Sequence, residues 1–267
     1  MAARTSLAFF ARLGAVLNIW IWGLALILFA LRWDSVERPH PPIRDLFPNG
    51  EIRVGVDASF PPFAVATDHD LYGLDIDIAE AIGERLNIPV RFVNLGFDGL
   101  YDALKVDQVD MLISALPIDY SRSNEVLFTV PYFNAGLELV SQSENISGMR
   151  DLSTHSLAFE FGSEAQQQAE TWLRRIQPFK IQAYETANFA LEATRREFAD
   201  AALVDAVTAH LYLRRHPEWK AQQQQVTDNL LAASVKVNHY ETYQAINRTM
   251  QLMLEDGTIN ALLRKWL

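Results

Sequence analysis

Residues 52–63, IRVGVDASFPPF, and 74–93, LDIDIAEAIGERLNIPVRFV, decide the fold class. The first begins as a strand at Ile52–Val56, and Pro61 and Pro62 then bar continuation of either a helix or a central strand. The second opens with Leu74, Ile78, Ile82 and Leu86 on one helical face and returns to a short apolar run at 90–93.

Along the rest of the chain, short strands are expected at 111–114, 137–141, 157–159, 201–204 and 230–237, with helices at 101–105, 163–174, 187–198, 206–213 and 240–254. Such alternation predicts an α/β fold with mainly parallel strands, whose elements fall into two groups around 137–141. Ligands of such sheets bind beyond the carboxyl ends of strands. The candidate chemistry therefore lies at Asp57 to Phe63, Phe97, Ser114 to Arg122 (including Ala115), Glu160 to Glu164 and Asp205.

Composition narrows the function. The 267 residues carry 23 Lys+Arg against 33 Asp+Glu, a net charge of −10, and 49% are hydrophobic, as in a globular protein. The charge is +2 over residues 1–50 and −12 over the rest, so no basic stripe suits nucleic acid. Without cysteine there is no disulfide scaffold, thiol nucleophile or Cys-ligated metal. Asp68 to Glu80 mimics a calcium loop, but Tyr72 and Ala79 stand where acids are needed, and the six histidines lack metal spacing. No metal or cofactor is expected.

The N-terminus reads differently. Residues 13–31 are uncharged and almost wholly apolar, and as a helix they span about 28 Å, close to a bilayer core. Arg4 and Arg12 precede the run, so residues 1–12 are expected in the cytoplasm and the body outside. No small-residue pair stands at a cleavage position just after the run, which favours an uncleaved anchor. The four prolines of residues 34–50 suggest an extended tether across 32–50.

The stretches IRVGVDASFPPF, LYGLDIDIAEAIGERLNIPVRFV, FDGLYDALKVDQVDMLISALPIDYSRSNEVLFTVPYF and AINRTMQLMLEDGTINALLRKWL together resemble bacterial extracellular solute-binding protein family 3, the receptors of polar amino acid ABC importers. The resemblance covers residues 51–267. It implies a two-lobed periplasmic binding protein fold of type II, with two parallel-rich sheets joined by two crossovers. Lobe 1 would be 51–138 plus 231–267, and lobe 2 139–230, closing around an amino acid for delivery to an ABC permease.

The resemblance also assigns roles. Arg122 would grip the ligand carboxylate, for which a planar guanidinium offers two parallel donors. Asp205 would accept the ligand ammonium, although an acid there could equally cap the next helix. Phe60 and Phe97 would flank the ligand side chain, and Ser163 would begin the helix whose amides hold the carboxylate. Two departures stand out: Pro117 replaces a hydroxyl residue, and Glu164 brings an acid near those amides. With Glu160 and Asp57, it hints at an acidic pocket for a cationic side chain, or at a ligand unlike a standard amino acid. Two further readings are a ligand-sensing accessory receptor and an enzyme resembling cyclohexadienyl dehydratases, with Glu160 or Glu164 as general acid.

Overall fold

A computed structural model describes Gly23, residues 42–176 and residues 178–267. The expected membrane span, 13–31, lies outside the described residues apart from Gly23, and among the described residues no helix is long and apolar enough to cross a membrane. Of the expected tether, the part from Pro42 onward is described. There Ile43–Leu46 forms a turn of 3-10 helix, and Phe47 is only 1% exposed within the first apolar core. The chain is thus bound to the body before residue 50.

Two five-stranded sheets form the body. The first contains β1 (Ile52–Val56), and a small sheet follows it from β2 (Ser59–Phe60), β3 (Ala64–Ala66) and β4 (Leu71–Tyr72). Then come β5 (Val90–Asn94), β6 (Met111–Leu112) and β7 (Val126–Phe128). Next, β8 (Phe133–Asn134) carries the chain out of the first sheet and β9 (Leu137–Ser141) enters the second. That sheet adds β10 (Ser156–Glu160), β11 (Lys180–Tyr184), β12 (Ala201–Asp205) and β13 (Gln222–Gln225). The chain returns through β14 (Leu230–Leu231) to β15 (Ser234–Lys236). The orders are β5-β1-β6-β15-β7 and β11-β10-β12-β9-β13, and the crossings β8 and β14 pair antiparallel with each other.

The sheets are mixed, which corrects the expectation of mainly parallel strands. β1 pairs parallel with β5 and β6, and β10 with β11 and β12. However, β15 runs antiparallel to β6 and β7, and β9 antiparallel to β12 and β13. The parallel halves are local strand–helix–strand units. The antiparallel strands β9 and β15 are those by which the chain enters each sheet from the other, so their direction follows from the crossings.

Apolar residues cover both faces of each sheet. Under β1, the helix Leu74–Leu86 buries Leu74, Ile78 and Ile82, and the helix Tyr240–Glu255 adds Ile246, Met250 and Met253. The opposite face holds Leu100, Leu104, Leu112 and Val126. Gly73 starts the first helix at φ 143°, where a Cβ would stand 2.2 Å from the Phe63 carbonyl oxygen, so only glycine fits. The stretch that mimics a calcium loop resolves into strand, glycine turn and helix, with Asp75 wholly buried.

Candidate functional site

β1, β6 and β12 point their carboxyl ends at one cleft of about 730 Å³. From the first sheet's side come Asp57, Phe60, Phe97, Ser114, Ala115 and Pro117. Opposite stand Asp205 at the end of β12 and Thr208 and Leu211 on the helix Ala206–Arg215. The crossings supply Ala135, Asn229 and Leu231, so the floor of the cleft is the segment that joins the sheets.

Local chain geometry presents each carboxylate. Asp57 follows β1 directly, and its N–H donates to Ser114 Oγ at 2.8 Å, tying two strand ends together. Its Oδ1 accepts from the N–H and hydroxyl of Ser59, at 3.1 and 2.6 Å. Asp205 caps the next helix, with Oδ1 accepting from Thr208 N–H at 2.8 Å. The capping and the site readings of Asp205 are therefore compatible: one oxygen serves the helix, and the residue still lines the cleft. Neither Asp57 nor Asp205 has a hydrogen bond to its second carboxylate oxygen among the described residues.

No lysine, arginine or histidine lines this cleft among the described residues. Two carboxylates therefore set its charge, against walls that are mostly apolar. Phe60 and Phe97 are 55% and 54% exposed, unusual for phenylalanine, and both face the cleft. Phe60 stacks on buried Phe63 with centroids 5.6 Å apart, which fixes the plane of its ring.

The other expected residues lie apart. Glu160, Ser163 and Glu164 line a smaller hollow of about 150 Å³ that shares Asp205 with the main cleft. Glu160 Oε2 accepts the Ala187 N–H at 3.0 Å, and Ser163 caps the helix Glu164–Leu173. Both acids are thus placed beside helix starts, Glu160 by its bond to Ala187 and Glu164 as the first residue of its helix, as the macrodipole favours.

Arg122 does not line the cleft. Its guanidinium lies 3.1 Å from Glu125 and 3.6 Å from Asp119, stacked 4.1 Å from the Tyr101 ring, in a separate hollow. The cause is local: acids three residues to either side and an aromatic face are its nearest partners.

Thr208, Leu211, Ala135 and Asn229 escaped the sequence reading. Thr208 and Leu211 follow Asp205 at three-residue steps on one helical face, a signal that was available. Ala135 and Asn229 enter through chain crossing, which local sequence does not encode. Among the described residues no cluster of His, Asp or Glu could hold a metal ion.

The chain is similar to known proteins in sequence and in fold. ABC transporter arginine-binding protein 1 of Escherichia coli is 24% identical over 222 residues, covering 81% of this chain and 90% of that protein. The L-arginine-binding protein of Pseudomonas aeruginosa is 31% identical over 189 residues, covering 69% and 67%. A solved ancestral cationic amino acid solute binding protein superposes with a TM-score of 0.61 at 26% identity, covering 84% of this chain and 98% of its own. The two sheets, the paired crossings and the cleft between them are thus the two-lobed periplasmic binding protein fold. The family model for bacterial extracellular solute-binding proteins, family 3, spans residues 52–267, and the chain belongs to that family.

Proposed function

We propose that this protein is an extracytoplasmic receptor that closes around an amino acid with a cationic side chain and delivers it to an ABC importer. The observation that carries this reading is the pair Asp57 and Asp205, on opposite walls of one cleft that no basic side chain lines among the described residues. Asp205 takes the ligand ammonium and Asp57 the distal cation, with Phe60 and Phe97 against the aliphatic stem. The relatives named for arginine and the ancestral cationic receptor support the same class.

Arg122 is the proposed carboxylate anchor. It would exchange Glu125 and Asp119 for the ligand as lobe 1 (51–138 plus 231–267) and lobe 2 (139–230) close. That exchange costs little, because exposed ion pairs contribute about 0–1 kcal/mol. Ser163 and the helix start behind it contribute donors from lobe 2, while Glu160 and Glu164 add to the acidic field.

Residues 13–31 anchor the receptor at the outer face of the cell membrane. Alkaline extraction of membranes should leave the full chain in the pellet; release into the supernatant would remove the anchor. Ligand class is tested by calorimetry of the full chain with L-arginine, L-lysine, L-histidine, L-glutamine and L-glutamate. Binding confined to the basic amino acids is the expected outcome, and preference for L-glutamate would overturn the assignment.

A further inference from the structure

Asp75 is fully buried, and no ion pair to it exists among the described residues. Burying a carboxylate without a cation opposes folding. Its two oxygens nevertheless serve two different parts of the molecule. Oδ2 accepts the Ala115 N–H at 2.7 Å, and Oδ1 accepts the Tyr132 hydroxyl at 2.7 Å.

Each partner leads somewhere. Ala115 lines the cleft with φ +47°, a left-handed conformation that a residue with a Cβ resists, so the turn depends on an outside hold. Its neighbour Ser114 in turn receives the Asp57 N–H at 2.8 Å. Tyr132 directly precedes β8, and its own N–H donates to Leu231 O of β14 at 2.9 Å. Asp75 therefore stands between the turn that shapes the cleft and the pair of strands that joins the lobes.

We propose that Asp75 is a positioning residue for ligand capture, locking the Ser114 and Ala115 turn, and through it Asp57, to the crossing strands on which the lobes move. The inference rests on reading the cleft as the amino acid site. Tyr132 is the titratable group in contact with Asp75. On the same helix, Asp77 turns to Lys265 and Trp266, both at 2.6 Å. His210, from the second sheet's side, faces Phe133 and Glu138. Burial pushes the Asp75 pKa up to about 7, against the pull of its two donors. Its charge therefore changes in an accessible range.

The test uses the detergent-solubilised full chain labelled with 15N-alanine, unaltered and as Asp75→Asn and Tyr132→Phe. Ala115 reports the cleft and Ala135, whose N–H bonds Asn229 O, reports the crossing. In the unaltered protein both amide resonances should move with one midpoint between about pH 5 and 9, and in Asp75→Asn neither should. Tyr132→Phe keeps the Ala115 bond, so Ala115 should still titrate while Ala135 no longer follows. By calorimetry with L-arginine, Asp75→Asn should bind at least about tenfold more weakly and without the pH dependence. An Ala135 resonance that stays still while Ala115 titrates would overturn the proposal, as would an Asp75→Asn protein with unchanged affinity and pH profile. If the unaltered protein binds no L-arginine, the ligand assignment fails, and the paired resonances still decide the role of Asp75. If Asp75→Asn does not fold, Tyr132→Phe decides it.

Discussion

Asp75 gives the molecule an unusual dependence on pH. Its carboxyl is raised from an ordinary 3.8 to about 7 by burial, so between those values the folded chain keeps a proton that the unfolded chain releases. Stability from this group is complete below about pH 4 and is lost as pH rises to 7, on the order of 4 kcal/mol in all. Glu192 and Asp256, each held near 2 by arginine and hydroxyl donors, act oppositely and lose their contribution only as pH falls below about 4.5. Urea titrations across pH 4–8 should show stability declining through that window, and Asp75→Asn should flatten the decline. An unchanged slope would mean that Asp75 is ionised throughout. At this scale the sequence was partly legible. Asp57, Phe60, Phe97, Ser114, Ala115 and Asp205 could be read because strand ends in α/β folds meet ligands, and all six line the cleft. Asp75 could not, because in LDIDI an acid between apolar residues reads as the solvent face of a helix. Arg122 was named through the resemblance, and here it lies outside the cleft beside Asp119, Glu125 and Tyr101.

Among the elements, the crossing between the sheets is specified by side-chain hydrogen bonds and one glycine. Asn134 Oδ1 accepts the N–H groups of Gly136 and Asn229, at 3.1 and 2.9 Å, and its amide donates to Asp228 at 2.7 Å. A Cβ on Gly136 would lie 2.0 Å from the Thr227 carbonyl oxygen, so the two crossing segments can pass this closely only with glycine there. Gly136→Ala should destabilise the fold by about 1–3 kcal/mol and lower ligand affinity, because it pushes apart the strands that set the cleft floor. Thermal melts with and without L-arginine check this, and an unperturbed protein would show that the crossing is not a fixed point. The segment before β1 carries a second expectation. Phe47→Ala should cost about 3–5 kcal/mol, since its ring is buried in the first core. A melt within a degree of the unaltered protein would mean that this segment is a passive tether. Helix periodicity was legible at Leu74–Leu86, where apolar residues repeat every fourth position. The strand Gln222–Gln225 was not, since four glutamines carry no alternation and their strand is an edge, ordered by pairing with β9.

At the scale of the whole molecule, two lobes, each with its own sheet, meet across a cleft floored by β8 paired with β14, and the helix Ala206–Arg215 leans Val207 and Leu211 on the first core and donates from Arg214 to Lys265 O at 2.8 Å. Such a body responds to a ligand that contacts both walls by favouring the closed arrangement, to the extent that the ligand binds that arrangement more tightly. The mixed direction of the sheets belongs to this scale too: β9 and β15 run antiparallel because each arrives from the other lobe, a fact of topology that no local pattern records. In the proposed function, Asp57 and Asp205 hold a cationic amino acid between the lobes. Calorimetry of the full chain with L-arginine, repeated on Asp205→Asn, tests it most directly. Loss of a buried charge partner costs about 2–5 kcal/mol, so the variant should bind at least about thirtyfold more weakly. Equal affinity in the two proteins would contradict the claim.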